Sequence, residues 1–110
     1  MNIPSDNIEE RRLWTALAHV KPNPGNHMLE GAQGAFVAVI VLASHARDVF
    51  PQIKKKVDSY AFMLGRVEDI EPITPSSKHA VSPELLKLGE ELTPQNPVAF
   101  GNFHSYEENP

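Results

Sequence analysis

An unbroken apolar stretch, Gly34 to Ser44, constrains the fold more than any other part of the chain. It is rich in β-branched residues and is bounded by a glycine and a serine, a pattern typical of a strand that is buried on both faces. It is too short for a transmembrane helix, which needs about 20 apolar residues. The sequence therefore predicts a small sheet with this stretch at its centre.

The segments around this central strand alternate between strand and helix patterns. Strands are predicted at residues 11–21, 34–44, 61–70 and 98–106. The first helix has two alternative N-caps, Ser44 and Asp48, and Pro51 favours Asp48 because proline fits the first turn of a helix. The second helix has the clearest start, with Ser82 as N-cap and Pro83 as the first helical residue. The order of elements is β-β-α-β-α-β.

This order predicts an α+β fold built as a two-layer sandwich. We expect a mixed four-stranded sheet, with a right-handed crossover, and two helices packed on one of its faces. The 110 residues are enough for one domain. Within residues 1–110, the segments 1–10 and 107–110 are expected to be peripheral or flexible.

Two helices on one face would leave the other apolar face of the central strand without a cover. That face carries Val37, Val39 and Val41, and burying each of them stabilises the fold by roughly 1.5–3 kcal/mol. The cover could be the loop 22–33, the tails of the chain, or a second copy of the chain. The sequence therefore predicts either self-coverage or a homodimer through the sheet face, with these valines as the interface.

Composition argues against several classes of function. The formal net charge of −4 argues against a nucleic-acid binder, which normally has a basic face, and gives no reason to expect a membrane partner. The chain has no cysteine, so it has neither disulfides nor a thiolate metal site. The N-terminal segment lacks the basic and apolar regions of a signal peptide, so we expect a cytoplasmic protein. We predict no metal and no cofactor.

Two histidines on predicted strands are the main candidates for chemistry. His19 and His104, together with Asn102 and Glu68, could form a polar cluster on the sheet that acts in general acid–base catalysis. The alternative is an ordinary hydrogen-bonded pair at a strand end. No phosphate-binding loop, nucleophile elbow or zinc-ligand spacing occurs in the sequence, so the sequence does not identify a catalytic residue.

An acidic group ends the third predicted strand. Glu68, Asp69 and Glu71 could contact a basic protein partner. They could also protect a free sheet edge, since charged side chains discourage strand pairing there.

Four segments together resemble a group of small, stand-alone bacterial α+β proteins without an assigned activity. They are Leu13-Trp14-Thr15, Gly31-Ala32-Gln33-Gly34-Ala35-Phe36, Val67-Glu68-Asp69-Ile70-Glu71-Pro72 and Val98-Ala99-Phe100-Gly101-Asn102-Phe103-His104. The resemblance implies a bacterial, cytoplasmic, single-domain protein, and it implies no chemistry. Some acidic bacterial proteins of this size are immunity proteins that neutralise toxins, which is an analogy at the level of a class.

These observations favour a non-enzymatic protein-binding module, acting as a homo-oligomer or as an immunity-type partner. The absence of a catalytic motif, the acidic balance and the surplus apolar sheet face support it. The alternative is a small enzyme or small-molecule-binding domain that uses the His/Asn/Glu cluster in a cleft under the loop 22–33.

Overall fold

The computed structural model describes residues 11–106, with Tyr106 described in its backbone alone. The elements are β1 (Arg12–Pro22), β2 (Gly34–Ala43), α1 (Val49–Ser59), β3 (Phe62–Pro72), α2 (Pro83–Glu90) and β4 (Val98–Tyr106). Short 3₁₀ turns cover Ala46–Asp48 and Lys78–Ala80. The α+β class and the β-β-α-β-α-β order are confirmed. The expectations for residues 1–10 and 107–110 lie outside the described residues.

The sheet is antiparallel throughout, with strand order β3-β1-β2-β4, so the expectation of a mixed sheet was wrong. β2 and β3 run in the same direction, as the crossover through α1 requires, but β1 lies between them. Because β1 pairs with both, no two parallel strands are neighbours. The long connection through α2 then crosses to the opposite edge, where β4 pairs with β2.

The two helices cover opposite faces of the sheet, which corrects the prediction that both pack on one face. The buried side chains of α1 (Val49, Ile53 and Val57) belong to one cluster with Trp14, Ala16, Ala18, Val20, Ala35, Val37, Val39, Val41 and Ala43. We call this side the α1 face. α2 lies on the other side, the α2 face, where a Cβ added to Gly89 would meet the side chains of Ile40 and Leu13.

Val37, Val39 and Val41 are therefore the core of one chain and do not form an open interface. Each is 0% exposed because α1 covers the sheet above them. Leu29, from the loop that joins β1 to β2, packs against the same cluster. The expected homodimer through these valines rested on an uncovered face, and the position of α1 removes that premise.

Two irregularities in β3 decide which of its side chains face α1. Leu64 pairs with Val20 and Arg66 pairs with His19, so Gly65 is an extra residue and forms a bulge. A second shift follows near Asp69, whose φ is 57°. Regular alternation from Phe62 would place Leu64, Arg66, Glu68 and Ile70 on the same face, but Arg66 and Glu68 lie on the other face. The Gly65 bulge turns both of them to the α2 face.

Local signals located the helix starts well. The hydroxyl of Ser82 accepts a hydrogen bond from the backbone N–H of Leu85 at 3.1 Å, so the predicted N-cap is confirmed. α1 begins after Asp48, the second of the two predicted N-caps, although its side chain makes no capping hydrogen bond. A 3₁₀ turn after His45 connects β2 to this helix.

Candidate functional site

The predicted polar cluster is divided into two parts on the α2 face. His19 pairs with Arg66 on one side and with Phe36 on the other, and Phe36 pairs with His104. His19 and His104 are therefore two strand spacings apart, about 10 Å, with the ring of Phe36 between their strands. Asn102 lies with His104 on the β4 side, in a shallow cleft beside α2. The structure does not bring the four candidates together.

His19 and Glu68 are the pair within this group that does meet. Nε2 of His19 lies 3.2 Å from Oε2 of Glu68, close enough for an ion pair when the histidine is protonated. The same Nε2 has almost no solvent access and makes no aligned hydrogen bond within the described residues. We therefore treat the contact as electrostatic only. Because a general base must reach the proton that it removes, this buried atom is poorly placed for catalysis.

The surroundings of His19 are those of a packed strand residue. Its ring meets Phe36 edge to face, with centroids 4.1 Å apart and planes at 76°. The Nε–H of Arg66 donates a hydrogen bond to Oε2 of Glu68, so this carboxylate already has an exposed cationic partner. An ion pair of that exposure contributes little to stability. The pair His19–Glu68 is a structural contact in this arrangement.

The acidic group lies along β3, one of the two outer strands of the sheet. Glu68 and Glu71 lie on the α2 face of the sheet, and Asp69 lies in the irregular backbone between them. With Arg66, they give this strand four charged side chains and two bulges. Charges and bulges are the features by which natural sheets block pairing at an edge. β3 therefore has the features of a protected edge.

β4, the other outer strand, lacks this charge protection. Its nine residues, Val98 to Tyr106, include no Lys, Arg, Asp or Glu. Among residues 11–106 it pairs with β2 alone, so its outer row of backbone N–H and C=O groups is open to a further strand. A long, uncharged outer strand is a template for pairing with another chain.

Exposed apolar side chains concentrate beside this strand. Of five large apolar side chains exposed in the described residues, three line a groove along β4: Met28, Tyr60 and Leu88, at 62%, 44% and 37%. Tyr60 directly follows α1 and Leu88 belongs to α2, so apolar side chains flank the strand on both faces of the sheet. We call β4 and these three residues the β4 edge surface. Exposed apolar groups that cluster in this way mark interaction sites.

Positive charge lies at one end of the β4 edge surface. Nζ of Lys56 donates a hydrogen bond to Oδ1 of Asn96 at 3.0 Å, just before β4 begins, and lies 5.6 Å from the centroid of the Tyr60 ring. Lys55 lines a neighbouring cleft with Lys56 and Val98. Cationic side chains therefore lie at the start of β4, and apolar side chains lie along its length.

Sequence reasoning missed this surface, although part of the signal was present. The absence of charge from 98–106 is visible in the sequence. That the strand lies at an edge is not visible, because it depends on the crossover that carries β4 past β1 and β2. Without the strand order, an uncharged alternating segment is indistinguishable from an inner strand.

Residues 11–106 contain neither a metal-binding cluster nor a helix that could cross a membrane. No group of three or more His, Cys, Asp or Glu side chains is arranged to hold a metal ion within residues 11–106. Neither α1 nor α2 has the length and apolar character needed to span a bilayer. No protein-family model, no curated protein and no solved structure matches this chain.

Proposed function

We propose that this protein is a non-enzymatic protein-binding module that receives an extended segment of polypeptide on the outer edge of β4. The observation that carries the proposal is the contrast between the two outer strands. β3 has four charged side chains and two bulges, whereas β4 has no charged residue and is flanked by Met28, Tyr60 and Leu88.

Strand addition would use both the open backbone groups of β4 and the exposed apolar residues beside it. The open backbone groups of β4 supply hydrogen bonds to an added strand without regard to its sequence. The flanking apolar residues select the side chains of that strand, because successive side chains point to opposite faces. One set would contact Tyr60 and Met28 on the α1 face, and the alternate set would contact Leu88 on the α2 face.

The enzymatic alternative has less support from the geometry. It requires His19, His104, Asn102 and Glu68 to converge, and Phe36 separates them into two groups. It also requires an accessible proton acceptor, and Nε2 of His19 is buried. A protein-binding role needs neither condition.

Selection from a library of short, displayed peptides tests the proposal. The dilute protein should enrich uncharged peptides with alternating apolar residues. Ser105→Lys places a charge at an exposed position of β4. It should lower the affinity for the selected peptides at least about tenfold. Met63→Lys adds the same charge to β3, where Met63 is 55% exposed, and should leave binding unchanged. At a concentration where light scattering shows a monomer, failure to enrich peptides, or equal loss in both variants, would contradict the proposal.

A further inference from the structure

The proposed binding mode leaves open which extended segment pairs with β4. From the strand's own register, we infer that it is β4 of a second copy of this chain, paired antiparallel about a two-fold axis. The two sheets then join into one continuous sheet of eight strands. This inference rests on the proposed function, because it also uses the outer edge of β4.

The irregularity of β4 lies where a two-fold axis can accommodate it. Val37 pairs with Phe103 and Val39 pairs with Phe100, so the extra residue of the bulge is Gly101 or Asn102. A two-fold axis between Gly101 and Asn102 sets the two bulges opposite each other. The regular halves of each strand remain free to pair.

The side chains of β4 are consistent with this axis. Residues directly opposite in an antiparallel pair must lie on the same face of the sheet. The α1 face holds Val98, Phe100, Phe103 and Ser105, which pair with Val41, Val39, Val37 and Ala35 of β2. The α2 face holds Ala99 and His104, which pair with Ile40 and Phe36.

An axis between residues 101 and 102 matches these faces along the whole strand. It sets Phe100 opposite Phe103 of the second copy, and both lie on the α1 face. It sets Ala99 opposite His104 of the second copy, and both lie on the α2 face. The remaining pair is Val98 with Ser105, again on one face. Shifting the register by one residue would oppose side chains from different faces.

The sequence that follows β4 is opposite in charge to the lysines beside its start. Lys55 and Lys56 lie beside the start of the strand. The sequence continues after the strand with Glu107 and Glu108. Antiparallel pairing sets the start of each strand next to the end of its partner. The pairing therefore sets each cationic start beside the strand end after which the acidic pair follows in the sequence.

The same joint covers the exposed apolar groups. Tyr60 contacts Phe100 with ring centroids 5.8 Å apart, so it flanks the axis on the α1 face. Leu88 flanks it on the α2 face, beside Phe100 and Gly101. Each copy therefore places Tyr60 on one side of the joined sheet and Leu88 on the other. Both are exposed in a single chain because it is the second copy that covers them.

Light scattering during size-exclusion chromatography gives the first test. The full chain should elute at twice its 12.2 kDa mass at micromolar concentration. Ser105→Lys should raise the dissociation constant of the dimer at least about tenfold, since it adds charge to the joint near Lys56 of the second copy. Ser105→Glu places the opposite charge at the same site and should weaken the dimer less. Met63→Lys should leave it intact.

Cross-linking tests the register, because the natural chain has no cysteine. Ala99→Cys and His104→Cys are prepared as separate proteins, mixed and oxidised. Directly opposite cross-strand residues are within reach of a disulfide, so the mixture should form a dimer containing one copy of each variant. Neither variant should cross-link efficiently alone. Ala99→Cys mixed with Met63→Cys is the matched control, and it should stay uncoupled.

The outcomes separate this inference from the proposed function. A dimer that resists Ser105→Lys, or that couples His104→Cys to itself instead of to Ala99→Cys, overturns the inferred joint. If the protein is a monomer that still selects peptides at β4, the occupant is not a second copy of the chain, and the proposed function is retained. A monomer that selects no peptides overturns both.

Discussion

Phe100 and Phe103 lie on the same face of the sheet, with ring centroids 5.8 Å apart and ring planes at 78°. Residues three apart in a regular strand point to opposite faces. The bulge between them in β4 turns both rings toward α1. Phe103 then stacks on Phe62 of the opposite outer strand, with centroids 5.8 Å apart and planes at 25°. The two outer strands therefore meet across the α1 face through their aromatic rings.

This aromatic contact should carry a large share of the stability. Phe103→Ala removes the stacking on Phe62 and the edge contact with Phe100, and we expect it to lower the free energy of unfolding by about 2–3 kcal/mol. Urea denaturation of the dilute protein measures the loss. Phe50→Ala is the control, because Phe50 is 43% exposed on α1. It should cost less than about 1 kcal/mol. Equal losses would show that the contact contributes nothing specific.

Features set by neighbouring residues were predictable from the sequence. The Ser82 cap depends on one hydroxyl and one N–H three residues later, so the local pattern was sufficient. The strand at Gly34–Ala43 was predictable because its composition excludes most alternatives. Such signals need no knowledge of the rest of the fold.

Features set by long-range packing were not predictable. Nothing near Gly89 in the sequence shows that the residue packs against Ile40 of the sheet, since a glycine inside a helix pattern indicates only a weaker helix. The Gly65 bulge reverses which side of β3 Arg66 occupies, and a one-residue shift has no signature in the apolar pattern. The error in assigning Val39 to an interface followed from placing both helices on one face, whereas α1 covers Val39 and α2 packs on the opposite face.

Gly89 provides a test of the close contact between α2 and the sheet. An added Cβ would lie 2.5 Å from Cδ1 of Ile40 and 3.2 Å from Cδ1 of Leu13. Ile40 is 0% exposed, so it has little room to move away. Gly89→Ala gains about 1 kcal/mol of helix propensity, but overpacking costs about 1–3 kcal/mol. We therefore expect a net loss of about 1 kcal/mol by urea denaturation.

The matched control for this variant is Lys87→Ala, at an exposed position of the same helix. It should change the free energy of unfolding by less than about 0.5 kcal/mol. A stability gain in Gly89→Ala would mean that α2 moves away from Ile40 at little cost. The packing described for the α2 face would then be wrong.

Substitution of Ala61 by glycine is expected to stabilise the fold, in contrast to the variants above. Its φ is 64°, in the left-handed region that costs a residue with a Cβ about 1–2 kcal/mol. Its carbonyl accepts hydrogen bonds from N–H of Asn23 and Nδ2 of Asn26, which hold the backbone in this conformation. Ala61→Gly relieves the strain but raises the entropy of the unfolded chain, for a net gain of up to about 1 kcal/mol.

Thermal unfolding should therefore show a higher midpoint for Ala61→Gly than for the natural chain. Ala80→Gly makes the same chemical change at another exposed alanine, one whose φ is not positive. It should lower the midpoint, because only the unfolded-state cost remains. A lower midpoint in both variants would show that the turn after α1 is not strained.

His19 tests whether the buried polar contact on the α2 face contributes to stability. Its Nε2 is buried, 3.2 Å from a carboxylate oxygen of Glu68, without an aligned hydrogen bond. His19→Phe removes this polar atom and retains an aromatic ring against Phe36. Since a buried polar group without a hydrogen bond is costly, the free energy of unfolding should stay unchanged or rise by about 1 kcal/mol. Glu68→Gln should change it by less than about 0.5 kcal/mol, because Glu68 is 40% exposed. Losses above about 2 kcal/mol in both variants would instead reveal a coupled polar pair that the fold requires, and a double-mutant cycle would then measure their coupling.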